Sequence, residues 1–192
     1  RTDPTQRVHM ISVIMEDNLP DIEPLLETCR ELGVTYLVTL YSHNRGAKPT
    51  RTRTTDVSRE MLELKQRHRH FVALRGYLAR FSHALDEGKI TTCGAGKQLC
   101  NIDSQGQVSL CIDRMSDPVG NILTDDARTL AKRLRAAHRE NTCHSCWTSC
   151  RGNIDALRSP KKVFGNMWDY HQICKAQPLV ARVGGHQGLV HL

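Results

Sequence analysis

Aromatic side chains are scarce in this chain, at 5% of the residues. None of the Tyr or Phe residues is interleaved with the arginines, so the base-stacking platforms of single-strand binders are missing. Long apolar runs are also missing. Nothing approaches the roughly 18–20 residues needed to cross a bilayer, so no membrane partner is expected. The opening lacks the basic, then apolar, then small-residue order of a secretory signal. It starts Arg1-Thr2-Asp3 rather than with Met, and a strand-like run follows almost at once. We therefore expect a piece of a longer, cytoplasmic protein. No repeat or low-complexity segment is evident.

The chain has 192 residues, with 39% hydrophobic and 24% charged content. That is room for one domain or two small ones with a real core. The net charge of +7 sits largely in Arg45, Lys48, Arg51 and Arg53, and in Arg67, His68, Arg69 and His70. Without stacking aromatics, these groups read as a solvated basic surface rather than a nucleic-acid interface.

The front of the chain patterns as a βαβ unit. Val8–Met15 is almost continuously apolar and β-branched, the signature of a buried strand. Asn18 offers an N-cap with Asp21 three residues on. Ile22, Leu25, Leu26, Cys29 and Leu32 then make one apolar helix face, and Gly33 supplies the stop. Tyr36–Tyr41 is a second buried strand, so the pair should be parallel. A polar loop over 45–55, a helix from Asp56 or Ser58 to about Arg69 and an amphipathic stretch from Tyr77 to Leu85 follow. The segment 88–92 reads as a boundary. Without neighbouring strands, Val8–Met15 would present an unpaired apolar edge, an aggregation hazard.

Beyond that boundary the cysteines take over. The chain has eight, and crowding in a protein without a secretion signal points to metal rather than disulfides. Thiolates are soft ligands suited to zinc or iron–sulfur clusters. Leu99–Ile102 and Gln107–Ile112 can pair around Asp103-Ser104-Gln105-Gly106, with glycine in the left-handed position. In that register Ile102 faces Val108, and Cys100 faces Leu110 on an apolar side. Leu99 and Cys111 share the other side. The hairpin thus returns Cys111 toward Cys93-Gly94-Ala95-Gly96, whose small residues would let backbone approach a bulky ligand. Cys143, Cys146 and Cys150 form C-x2-C-x3-C, and a C-x2-C step lets two thiolates grip one centre. Cys93, Cys111, Cys143 and Cys146 complete four ligands. Cys150 and Cys174, the latter on a helical stretch from Met167 to Lys175, are further candidate metal ligands. Cys29 and Cys100 read as core. Trp147 is expected to shield the metal centre and His144 to lie behind the ligands. Asn18, Leu40 and Tyr41 end the parallel strands, where open α/β sheets place ligands.

The Cys93-x12-Gly106-x4-Cys111 block, the Val119-Gly120-Asn121 step, a helix from Thr124 to about His138 and the C-x2-C group together resemble the SPASM or Twitch auxiliary-cluster module of radical S-adenosylmethionine (radical SAM) enzymes. The resemblance covers roughly Val8 to Cys174. It implies an α/β fold: the C-terminal βαβ portion of a partial TIM-like barrel (1–75), a helical connector (76–92), a small α+β cysteine-rich SPASM/Twitch module (93–177) and a Gly-containing tail (178–192). It also implies a 4Fe-4S cluster, S-adenosylmethionine in the intact enzyme, and an electron donor such as a flavodoxin or ferredoxin. The substrate would be a peptide or small molecule. The superfamily's radical-generating C-x3-C-x2-C is absent from this chain. The full SPASM pattern, with C-x2-C-x5-C-x3-C and a last cysteine, is one cysteine short here. One cluster is therefore favoured over two. Other classes compatible with the cysteines are a zinc-ribbon nucleic-acid binder and a ferredoxin-like electron carrier.

Overall fold

The structure is a computed structural model that describes residues 8–41, 56–87, 90, 93–144, 146–157 and 163–176. The loop expected over 45–55, with its basic residues, and the tail 178–192 lie outside them.

The fold is mixed α/β. Strands β1 (His9–Ile14) and β2 (Thr35–Leu40) pair in parallel, from His9 opposite Thr35 to Ile14 opposite Leu40. Helix α1 (Ile22–Glu31) joins them. Pro24 falls in its first turn, where the missing N–H costs nothing. Gly33 closes the crossover at φ 65°. The chain returns beside β2 at Phe71, with the Tyr36 N–H donating to the His70 carbonyl and the Val72 N–H to the Tyr36 carbonyl. Asn18 does not cap α1, which begins at Ile22 after a 3-10 turn over Glu16–Asp21. Its amide instead clasps the end of β1, donating to the Val13 carbonyl and accepting from the Met15 N–H.

β1 is not buried on both sides. Ile11 and Val13 remain 58% and 43% exposed, because β2 is its only strand neighbour among the described residues. β2 carries the buried face, with Tyr36, Val38 and Leu40 in the core. Helix α2 (Val57–Arg67) starts at Asp56, whose carboxylate accepts from the Arg59 N–H. The amphipathic stretch after it is two short helices, α3 (Arg75–Leu78) and α4 (Phe81–Glu87). Tyr77, Leu78 and Phe81 are fully buried against the strand and helix side chains.

The expected solvated group around residue 68 is half folded inward. His68 is only 7% exposed and faces Glu23 and Glu27 at 3.6 and 3.5 Å. Arg67 pairs with Glu23, and a His70 ring nitrogen contacts the Leu26 carbonyl. Arg67 and Arg69 alone stay at the surface.

In the second region β3 (Asn101–Ile102), β4 (Gln107–Ser109) and β5 (Pro118–Asn121) form an antiparallel sheet in that order. The register places Ile102 opposite Val108, as the sequence predicts. Gly106 holds φ 79°. Asp103 fixes the turn by accepting from the N–H groups of Gln105 and Gln107. Helix α5 (Ala127–Arg139) packs on β5, capped by Asp126 through the N–H groups of Arg128 and Thr129. Helices α6 (Ser149–Leu157) and α7 (Val163–Ala176) return to the first region. There α6 packs on α3, and Asp169 of α7 accepts from the Arg75 N–H and pairs with its guanidinium at 3.3 Å.

Candidate metal centre

Three chain segments converge on one cavity of about 590 Å³. The ends of the parallel strands contribute Val13, Thr39, Leu40 and Tyr41, and the hairpin contributes Cys93, Cys100, Cys111 and Arg114. The segment 141–151 brings Cys143, Cys146, Cys150 and Arg151. Six of the chain's eight cysteines therefore face a single space. No disulfide joins any of the cysteines whose side chains are described.

Local structure explains each placement. The segment before β3 turns at Gly96, at φ 82°. A side chain on Gly96 would strike Leu110 and lie 2.7 Å from the Leu134 carbonyl oxygen. His138 of α5 bonds the Ala95 carbonyl at 2.8 Å. Gly96 thus serves close packing on the hairpin and α5, while Ala95 borders the cavity. Cys111 lies two residues past the end of β4, and its half-buried thiol opens on the cavity.

The C-x2-C segment is anchored from both sides. Asn141 accepts from the Cys143 N–H at 3.1 Å. The His144 carbonyl accepts from the Ile90 N–H at 2.8 Å. Trp147, 2% exposed, donates its indole N–H to the Tyr77 carbonyl at 3.0 Å and packs against the Tyr77 ring. It does not border the cavity. Its role is that of a peg set into the apolar core, rather than the expected shield. The Ser149 N–H then bonds the Thr39 hydroxyl at 3.0 Å, fixing the start of α6 to the end of β2.

Electrostatically the thiols form a group. Burial pushes the Cys111 thiol up, against a lowering by the Asp113 backbone N–H; the charges of Asp113, Cys146 and Cys93 add to the rise. Burial also raises Cys146, against a lowering by a hydrogen bond from Arg151; Cys93 adds to the rise. Cys93 and Cys146 thus disfavour charge on Cys111, and Cys93 disfavours it on Cys146, as thiolates gathered for one cationic centre would.

Of the sequence-predicted ligands, Cys93, Cys111, Cys143, Cys146 and Cys150 come together at the cavity. Cys174 lies on α7, and its side chain is outside the described residues. Cys29 is fully buried beside Met10, as expected of core. Cys100 is not core: it is exposed and borders the cavity. The reason is that β3 begins only at Asn101, so the apolar side of the hairpin does not extend back to it. Leu40 and Tyr41 line the cavity as expected of strand ends, whereas Asn18 does not. Thr39 and Arg151 were not legible as site residues, since a lone Thr in a strand and a lone Arg in a helix carry no spacing signal.

Among the described residues, no set of three or more His, Cys, Asp or Glu side chains is drawn tightly enough around one point to hold a single metal ion. The thiols surround a volume instead. No described helix is long and apolar enough to cross a membrane. No family model, curated protein or solved structure matches the chain.

Proposed function

We propose that the chain binds a 4Fe-4S cluster through Cys93, Cys111, Cys143 and Cys146 and is the auxiliary-cluster portion of a radical SAM enzyme. The observation that carries this reading is the convergence of six cysteines, from hairpin and C-x2-C segment alike, on one cavity at the ends of two parallel strands. A donor set of thiolates alone suits iron–sulfur ligation. Thiols ringing a volume suit a cluster better than zinc, whose ligands meet at one point about 2.3 Å away. In this reading the two-stranded unit with its helices is part of a partial TIM-like barrel, and 93–177 is a module of the Twitch kind.

When bound, such a cluster accepts or relays single electrons or holds substrate. This chain's residues position it. Trp147 and the Thr39–Ser149 bond fix the C-x2-C segment, while Gly96 and His138 fix the turn after Cys93. S-adenosylmethionine cleavage needs a C-x3-C-x2-C site, which these 192 residues lack. It belongs to the intact enzyme, with a flavodoxin or ferredoxin as electron donor and a peptide or small molecule as substrate.

Purification under strict anaerobiosis tests the proposal. The protein should be brown, with broad absorbance near ~400 nm that dithionite bleaches, and about four iron and four sulfide per chain after reconstitution. A colourless protein with one tightly held zinc would sink it. Iron near eight per chain, falling to about four in a Cys150→Ala/Cys174→Ala variant, would instead establish two clusters.

A further inference from the structure

Helix α5 contains no acidic residue. Leu130 faces inward, and Arg133 is engaged, pairing with Asp125 at 3.0 Å and donating to the Val119 carbonyl. The other cations, Arg128, Lys132, Arg135 and Arg139, recur every three or four residues and so stand on one face of the helix. All are exposed, and none makes an ion pair among the described residues. The carboxylates at the helix ends do not balance them. Asp125 is taken by Arg133, Asp126 caps the helix, and Glu140 lies past the last turn.

Like charges three and four residues apart weaken a helix, and Arg128 in the first turn opposes the helix dipole. A face that is merely wet tolerates mixed charge, as α2 shows with Arg59 facing Glu63 at 3.9 Å. A uniformly cationic face suits an anionic partner, which it steers from a distance. Its place in the fold indicates which partner. His138 of the same helix bonds the Ala95 carbonyl at 2.8 Å, and the Leu134 carbonyl closes on Gly96, so α5 backs the turn that follows Cys93. One helix, about 10–12 Å across, separates the cationic face from that turn. No Phe, Tyr or Trp lies between Phe81 and Trp147 to stack on bases. Resting on the iron–sulfur reading above, we propose that the outer face of α5 docks an acidic single-electron carrier that reduces the cluster. With a flavin carrier, one electron passes from the hydroquinone anion to the oxidised cluster and leaves the neutral semiquinone. No bond forms or breaks.

The test is the rate at which photoreduced flavodoxin hydroquinone reduces the whole reconstituted chain, read by freeze-quench electron paramagnetic resonance of the cluster. Lys132→Gln/Arg135→Gln/Arg139→Gln strips the face. Arg30→Gln/Arg59→Gln/Arg69→Gln removes the same charge from the other half. We expect the α5 variant to be about tenfold slower than wild type at ~10 mM salt. At ~1 M salt, where the screening length falls from ~30 to ~3 Å, the two should converge. The control variant should stay within about twofold of wild type. Equal slowing of both variants would show a net-charge effect and overturn the proposal. Dithionite should reduce all three proteins alike; selective slowing of the α5 variant by this small reductant would also overturn it. If the α5 variant fails to load, Arg135→Gln takes its place, with about threefold slowing supporting the proposal and none overturning it. Tighter binding of duplex DNA or RNA than of flavodoxin, lost in the α5 variant, would assign the face to nucleic acid instead. Loaded wild-type protein that flavodoxin leaves oxidised overturns the docking face and leaves the iron–sulfur reading intact. A colourless wild-type protein removes both, and is seen before any mixing begins.

Discussion

The two halves of the molecule hold themselves together differently. Every member of the main apolar core except Trp147 and Ala156 lies between Ile14 and Ile90. Between 93 and 144 the buried hydrophobic residues are only Ala95, Val108, Leu110 and Leu130. A segment with so few buried apolar side chains usually needs a staple, either disulfides or a metal. No described cysteine forms a disulfide; the ligand proposed above would be the staple. The difference teaches that the βαβ half is held by its buried side chains, whereas in the reading proposed above the cysteine-rich half is held by the ligand of its thiols.

Removing the ligand should separate the halves most sharply. In Cys111→Ala or Cys146→Ala the visible chromophore should vanish. Amide hydrogen exchange at Val108 and Gly120 should then accelerate by roughly 100-fold, the ~2.7 kcal/mol expected of a ligand present at a hundred times its dissociation constant. Leu26 and Val38 should exchange much as before. Equal acceleration in both halves, measured by mass spectrometry or NMR, would erase the distinction. Cys29→Ala is the control: it should keep its colour and lose only about 1 kcal/mol to a small cavity.

A cut through the apolar core should act the other way. Tyr77 packs edge-on against Phe81 and at a tilt against Trp147, and Gly152 of α6 is bare of side chain because any Cβ would run into the Tyr77 ring. Tyr77→Ala should cost about 3–5 kcal/mol, the usual range for emptying a large aromatic site, and should loosen the cysteine segment along with the strands. A loss below ~1 kcal/mol by chemical denaturation would show that α6 and its cysteines do not lean on this core.

The smallest expected effect lies at the start of α2. The Ser82 hydroxyl, then the Arg59 N–H, hold the Asp56 carboxyl below its usual range. A folded-state pKa below the unfolded value of roughly 3.9 means the stabilisation is complete above about pH 5 and fades as pH falls through the lower folded value. Asp56→Ala should therefore cost about 1 kcal/mol near neutrality, with the deficit shrinking below about pH 4. A deficit equally large at pH 3 would rule out the carboxylate as its source.

Much of this was legible because the signals were periodic or geometric. The runs of apolar and β-branched residues in the two strands, the stop at Gly33, the left-handed Gly106 and the pairing of Ile102 with Val108 all follow from local chemistry. The convergence of hairpin and C-x2-C cysteines could be anticipated from spacing. What escaped were features fixed by distant partners. Asn18 looks like a helix cap, yet the end of β1 claims its amide first. Cys100 alternates as a core residue would, yet the strand stops one residue short of it. Trp147 beside two cysteines suggests a shield, but Tyr77, seventy residues earlier, offers a better socket. Arg151 has no pattern at all; only burial and hydrogen bonding single it out.

That seventy-residue span has a consequence in time. β1 and β2 close across 26 residues, and each doubling of a loop adds about 0.6 kcal/mol of closure entropy, so the Trp147–Tyr77 contact costs roughly 0.9 kcal/mol more to find. Contacts of high sequence separation form late. On the ribosome and after dilution from denaturant alike, the strands and α1 should assemble while Cys143, Cys146 and Cys150 still trail in water. During that interval the thiols are open to oxidation and to mispairing with Cys93, Cys100 or Cys111. Refolding yield should accordingly depend on reductant added in the first moments and become indifferent to it once the indole has docked.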